Sequence, residues 1–486
     1  MTIPPLRSFR LVCNPAQAPL VESLLLAQGF RFDPEPFFYL ARRLTHEPIP
    51  LGSSLAAAFG CIYIQDRSSM LPPLVLAPET GGAVLDMCAS PGGKTGLAAQ
   101  MVGEQGFVLG NEPSKNRLAT LRNNLRLMNL FCCGTASHPG ESLPLPGAFV
   151  SDGERKSASP GWDSILLDPP CSGWGTVEKH PQVMRLWQGD KVKPLIALQR
   201  RLLAEALRLL RPGGRLVYST CTTNVEENEE QIRHAREELG FVSVPASGIR
   251  GFSFADPALP GIEGTLRVDT GLDGQGFFVA LLQKPEAAMP GRMERLPEEM
   301  VQPDERHASA LSDPGKGLSR GFFVRPWEKE SRFVGERRRH PKAGRRDTPG
   351  PHPLSRDALD SPLVDASRLP AGDLAVYGGG IHFLPEARGN LIPETFSWKG
   401  FPLGRVGRGG EARISPHLRG LMPDAETARG RGLPVLDTDD CGLLLSLLSG
   451  QSLNLDAKGP EMGLYFGGLP LCRLTIKGNR AVLPPL

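Results

Sequence analysis

Between about Gly81 and Lys284, short apolar runs of strand length alternate with segments whose apolar residues recur at helical spacing, the order expected of parallel βαβ units. Ala83 to Met87 (AVLDM), Phe107 to Asn111 (FVLGN), Ser164 to Asp168 (SILLD), Leu216 to Thr220 (LVYST) and Phe277 to Leu282 (FFVALL) read as buried strands. Ser114 to Met128 puts Leu118, Leu121, Leu125 and Met128 on one helical face, and Leu195 to Leu210 carries a second stripe that stops at Pro212, Gly213 and Gly214. The pattern predicts an α/β fold built on a doubly wound sheet. Before it, residues 1–80 hold a helix candidate from Ala18 to Gln28 and read as a small α-rich appendage. After it, residues 371–486 are rich in Gly and Pro, with strand-like runs Leu464 to Phe466 and Cys472 to Ile476 and a helix candidate Cys441 to Ser449, and read as a small mixed α/β module.

Residues 285–370 break the periodicity. They are Pro- and Arg-rich and include Gly335 to Arg346 (GERRRHPKAGRR), where six Arg or Lys face one acid, Glu336. Such a segment buries too little to offset its ordering entropy and is expected to be a flexible linker. Its charge leaves two uses open, a solvated tether or an arm on RNA phosphates.

Composition narrows the class. A chain of 486 residues with 40% hydrophobic and 22% charged residues has room for two to four domains. Its apolar runs fall short of the roughly 18 residues of a spanning helix, and MTIPPLRSFR lacks the apolar stretch of a signal peptide. Nine cysteines without CxxC spacing fit a reducing cytoplasm and give no metal site. The net charge of +3 means that any basic surface must be local.

Three strand ends carry the candidate chemistry. Asp86 to Thr95 (DMCASPGGKT) lies where the first strand should give way to a helix. Gly92 and Gly93 let the backbone approach a ligand, and the helix start offers unpaired N–H groups. The spacing is neither that of a phosphate loop nor GxGxxG. Glu112 ends the second strand, 26 residues after Asp86, where a carboxylate can accept both ribose hydroxyls of a nucleoside. Asp168 to Thr176 (DPPCSGWGT) places an acid and Cys171 on a turn stiffened by two prolines. Ser219 to Cys221 ends the next strand, so two thiols are expected at the carboxyl edge of one sheet.

These stretches, with NEPSKNR at 111–117 and STCTTNVEENE at 219–229, resemble the Sun/NSUN family of S-adenosylmethionine-dependent RNA cytosine-5 methyltransferases. The resemblance runs from about Tyr63 to Lys284. It implies a Rossmann-like methyltransferase domain over 81–284, preceded by an RNA-binding appendage. FSWKGFPLGRV at 396–406 and GLYFGGLPLCRLTIKGNRAVLPP at 463–485 resemble the PUA-like RNA-binding end of RsmF-type enzymes of small-subunit ribosomal RNA.

The resemblance also implies roles. Cys221 matches the nucleophile, Cys171 the thiol that assists release, and Asp168 the acid that contacts the base. S-adenosylmethionine would lie over Asp86, Cys88, Ala89, Ser90, Pro91, Gly92, Gly93 and Lys94, near Asp168, with its ribose on Glu112. Where the family has an Asp-Gly pair at the adenine end, this chain reads GTASHPGESLP at 134–144. His138, a backbone group beside it, or Asp152 would take that place. The implied partner is RNA, ribosomal before transfer RNA, free or within a small subunit, with no membrane. The alternative of another class is a non-catalytic RNA-binding assembly factor, which would have no need of both thiols.

Overall fold

The computed structural model describes residues 7–146, 161–178, 180–246, 248–268, 275–286, 352–359, 361–389, 391–393, 396–455 and 459–485. Asp152 and the basic run Gly335 to Arg346 lie outside them.

The apolar runs of the central region form a sheet with helices on both faces. Its elements are β5 (Ala83–Asp86), α4 (Gly93–Val102), β6 (Phe107–Asn111), α5 (Lys115–Met128), β7 (Cys133–Ala136), β8 (Trp162–Leu167), α6 (Val183–Leu186), α7 (Lys193–Leu209), β9 (Leu210–Thr220), α8 (Glu229–Glu237), β10 (Val242–Val244), β11 (Leu266–Val268) and β12 (Phe277–Gln283). The order is β10-β12-β9-β8-β5-β6-β7, parallel from β9 to β7, with β12 antiparallel to both of its neighbours. Successive residues face opposite sides. Leu85, Leu109, Ile165 and Leu216 meet α7 through Leu198, Leu202 and Ala206, while Val84, Val108, Leu166 and Val217 meet α4 and α5 through Ala98, Leu118 and Leu121. The chain winds outward from β5 in both directions, so the crevice at a topological switch point opens over the carboxyl ends of β5 and β8. The Rossmann-like expectation holds for this domain.

The N-terminal region adds a sheet to the helices of the α-rich expectation. β1 (Ser8–Leu11), β2 (Arg31–Pro34), β3 (Ala41–His46) and β4 (Ile62–Ile64) make a four-stranded antiparallel sheet in the order β2-β3-β1-β4, with α1 (Ala18–Ala27), α2 (Leu55–Ala58) and α3 (Arg67–Leu76). Charged residues inside these short strands mask the alternation. Arg10 is fully buried, with Nε on Gln65 Oε1 at 3.1 Å, and Arg42 donates to Glu22 at 2.6 Å.

Beyond residue 351, β13 (His352–Pro353), β14 (Gly372–Tyr377), β15 (Gly380–Pro385), β17 (Phe401–Val406) and β18 (Ala412–Ile414) form one antiparallel sheet. β16 (Trp398–Lys399) leaves it to pair antiparallel with β7, extending the central sheet. β19 (Val435–Thr438), β20 (Ser452–Asn454), β21 (Glu461–Phe466), β22 (Leu469–Lys477) and β23 (Arg480–Val482) form a second sheet. The expected linker boundary at 370 is too late. Leu359, Val364, Ala366 and Leu369 already pack against Phe383 and Phe401, so the C-terminal region begins by His352.

Nor is that region a detached module. Leu444 and Leu447 of the helix Cys441–Leu448, with Leu464, Leu471 and Leu474, share one apolar cluster with Phe9, Leu24, Leu55 and Phe59. Arg419, 7% exposed, donates to the carbonyls of Val12, Phe59, Gly60, Leu127 and Met128 and so joins all three regions. Among the described residues no helix is long and apolar enough to cross a membrane.

Candidate active site

At the end of β5 the chain turns through Met87 to Gly92 into α4. Gly92 caps this helix with φ +106°, a left-handed conformation that a side chain resists, and no side chain caps the helix there. The first N–H groups of α4 therefore have no capping side-chain oxygen. Asp86 braces the turn from beneath, accepting from Thr95 Oγ1 at 2.6 Å and from Cys88 N at 3.3 Å. Asn111 ties the neighbouring strand ends together, donating to the carbonyls of Met87 and His138 and accepting from His138 N at 3.0 Å. Ala89 N bonds to Asn111 O, Ser90 Oγ to Arg117 O, and the Pro91 carbonyl accepts from Asn124. Glu112 stands beside this loop. Burial raises its pKa, opposed by Arg117 at 3.4 Å and by the N–H of Ser114 at 2.9 Å.

Burial pushes the Asp86 carboxyl up to about 6 from 3.8, against the Thr95 bond that lowers it. The folded chain then holds this proton more tightly than the unfolded chain, so Asp86 subtracts stability as pH rises through that interval. The full difference is on the order of 3 kcal/mol. In urea unfolding without cofactor, Asp86→Asn should gain on the wild type as pH rises from 4 to 6 by up to that amount, roughly. A gap independent of pH would mean that Asp86 titrates as an exposed carboxylate does.

The reacting groups lie across the crevice. Asp168, just past β8, accepts from Lys94 Nζ at 2.7 Å and from Ser219 Oγ at 3.0 Å. Burial opposes the Lys94 charge, but attraction to Asp168 outweighs it and raises the Lys94 pKa. Lys94 also lies 5.4 Å from the centre of the Phe277 ring. Cys171 Sγ and Cys221 Sγ are 3.4 Å apart, each partly exposed. The hydrogen bond to Cys221, then burial, pushes the Cys171 thiol well above its usual range.

Glu227 latches the two thiol loops. It is fully buried and accepts from Ser172 N at 2.9 Å, Ser172 Oγ at 2.5 Å, Gln199 Nε2 at 3.0 Å and Asn224 Nδ2 at 3.1 Å. Ser172 Oγ lies 2.7 Å from Thr222 Oγ1, which links the residues that follow the two cysteines. Gly175 makes room for the same union. A Cβ there would lie 2.1 Å from the carbonyl of Gly276.

Most of the expected site residues therefore meet around one crevice, with two corrections. Lys94 reaches across to Asp168 instead of lining the loop alone, because a buried ammonium needs a counterion. The His138 ring stacks on Phe396 at 4.4 Å and its Nε2 lies 3.1 Å from Ser397 O, so it serves the contact with the C-terminal region and only its main chain faces Asn111. Sequence reasoning missed the Glu227 latch and the Lys94–Asp168 pair. Both lie inside stretches read for other residues, and only packing brings them together.

Residues 73–283 match the family model described as 16S rRNA methyltransferase RsmB/F. A solved structure titled as a methyltransferase homolog protein from Pyrococcus horikoshii is 33% identical, covering 58% of this chain and 87% of that one, with a TM-score of 0.48. The chain belongs to the RsmB/F methyltransferase family. Among curated RsmB/F relatives, the ribosomal RNA small subunit methyltransferase F of Shewanella loihica is 34% identical over 306 residues, 60% of each chain. That of Cronobacter sakazakii is 36% identical over 271 residues, 54% of this chain and 53% of its own. The matches thus span somewhat over half the length of these relatives.

The RsmB/F site fits a nucleoside-bearing cofactor. No side chain caps the helix start at Gly92, and Glu112 sits at the neighbouring strand end where ribose hydroxyls would reach it.

Proposed function

We propose that this protein methylates the 5-carbon of a cytosine in small-subunit ribosomal RNA through a transient bond to Cys221. The observation that carries the reading is the pair of thiols 3.4 Å apart at neighbouring strand ends, beside an acid held by a lysine. The names of the curated relatives favour ribosomal RNA. The cofactor is S-adenosylmethionine, which supplies an electrophilic methyl group on a sulfonium. Residues Cys88 to Lys94 would hold it by the loop and Glu112 by its ribose.

The 5-carbon of cytosine is too weak a nucleophile to take that methyl group unaided. Cys221, its proton passed to solvent, adds its sulfur to the 6-carbon, and the electron pair released to the 5-carbon takes up the methyl. Asp168, held by Lys94 and Ser219, contacts the base and steadies charge on the ring during addition. Cys171 keeps its proton while the Cys221 sulfur is free, because the bond between them favours the thiol. Once that sulfur is bound to carbon this restraint is gone, and Cys171, which is partly exposed, gives its proton to water and then accepts the one on the 5-carbon. The electron pair left behind restores the 5,6 double bond and expels Cys221. A target inside a helix must first leave the stack.

Cys171→Ala should therefore form the adduct and fail to release it. With ribosomal RNA and cofactor, a protein–RNA band should persist in denaturing electrophoresis and be absent from wild type and from Cys221→Ala. A band from Cys221→Ala instead would exchange the two roles. Bisulfite sequencing of the RNA product reads the position, and no 5-methylcytosine would end the proposal.

A further inference from the structure

Far from the thiols, where β7 meets the C-terminal region, a cleft of about 130 Å3 is lined by Arg122, Thr135, His382 and Lys399 among others. Its lining contains two permanent cations and no carboxylate. Arg122 spends Nε on Thr135 Oγ1 at 3.0 Å, and among the described residues no ion pair reaches Arg122 or Lys399. Burial lowers the His382 pKa against the bond to the Gly380 carbonyl that raises it, and Lys399 and Arg122, which line the same cleft, lower it further. Cations gathered in a part-buried cleft repel one another unless an anion joins them. The volume is several times what one water needs.

We infer that this cleft seats a backbone phosphate of the RNA substrate, gripped by Arg122 of the methyltransferase domain and Lys399 of the C-terminal region. The inference rests on the RNA reading above. β7 stands four strands from β9, on the order of 19 Å away. A phosphate held there belongs to a nucleotide remote from the target base. The seat spans two regions of the chain, so it adds affinity only for RNA that lies across their junction.

The test is equilibrium binding of ribosomal RNA to full-length protein over a range of salt, for wild type and for the double variant Arg122→Gln with Lys399→Gln. The double variant should bind roughly 10-fold more weakly, with the slope of log affinity against log salt smaller by about 1. The loss should fall on KM and not on kcat, and Arg122→Lys with Lys399→Arg should recover most of the affinity. Unchanged affinity and slope in the double variant overturn the inference. Inorganic phosphate, titrated into both proteins by calorimetry, separates the remaining case. Phosphate bound by wild type and lost in the double variant, with RNA affinity unchanged, makes this a seat for a free anion and overturns the RNA assignment. Wild type that binds no ribosomal RNA overturns the functional reading itself, a failure visible without any substitution, and the phosphate seat falls with it.

Discussion

Cys221→Ala is expected to abolish methyl transfer while leaving cofactor affinity nearly unchanged. The thiol lies at the end of β9, across the crevice from the loop Cys88 to Lys94, and touches Cys171. Its removal takes away the only group proposed to activate the 5-carbon, and no neighbouring side chain replaces a sulfur nucleophile by small movement. Cys171 is the nearest thiol, but it is anchored through Ser172 to Glu227. A fall of at least about 10,000-fold in turnover, ~5.5 kcal/mol of barrier, is expected. Single-turnover transfer of labelled methyl to ribosomal RNA measures it, and calorimetric titration with S-adenosylmethionine checks the cofactor site. Turnover within tenfold of wild type would remove Cys221 from the reaction.

Arg419→Met should cost about 3–5 kcal/mol of stability, the range found when one partner of a buried charged network is removed. Methionine fills most of the volume, so the loss reports on hydrogen bonds more than on a cavity. The guanidinium serves five carbonyls, among them Leu127 and Met128 at the end of α5, where helix carbonyls have no partner in the helix itself. Arg419→Lys should recover only part, because an ammonium cannot present five donors in a plane. Thermal unfolding should show a midpoint lower by ~4 °C for the methionine variant. A change below about 1 kcal/mol would mean that water satisfies those carbonyls as well as Arg419 does.

The central strands were legible because both of their faces are buried. Phe107–Asn111 and Phe277–Gln283 are continuous apolar runs, and their observed bounds nearly coincide with those read from sequence. β7 was not legible. Its CGTA carries no apolar run, and Gly134 is small because the Trp398 ring packs on it, with a Cβ there falling 2.7 Å from Trp398. The N-terminal strands failed for another reason, since ARRLTH hides its buried positions among arginines whose charges are met by distant partners such as Glu22. At the site, the motifs announced which residues matter but not which pairs they form. Lys94 and Asp168 are 74 residues apart, and Glu227 stands 55 residues from Ser172, separations that only the closed sheet resolves.

The apolar cluster common to the two ends of the chain has a consequence for the order in which the protein is made. β4 leaves the ribosome about 380 residues before the helix Cys441–Leu448 that completes its core. At usual rates of synthesis, about 5–20 residues per second, that interval lasts roughly 20 to 75 s. During it, Phe9, Leu24, Leu55 and Phe59 stand without the leucines that cover them. The nascent N-terminal sheet is then a sticky intermediate, and a chain released early exposes the same face permanently. Quality control would meet this protein first at its amino end.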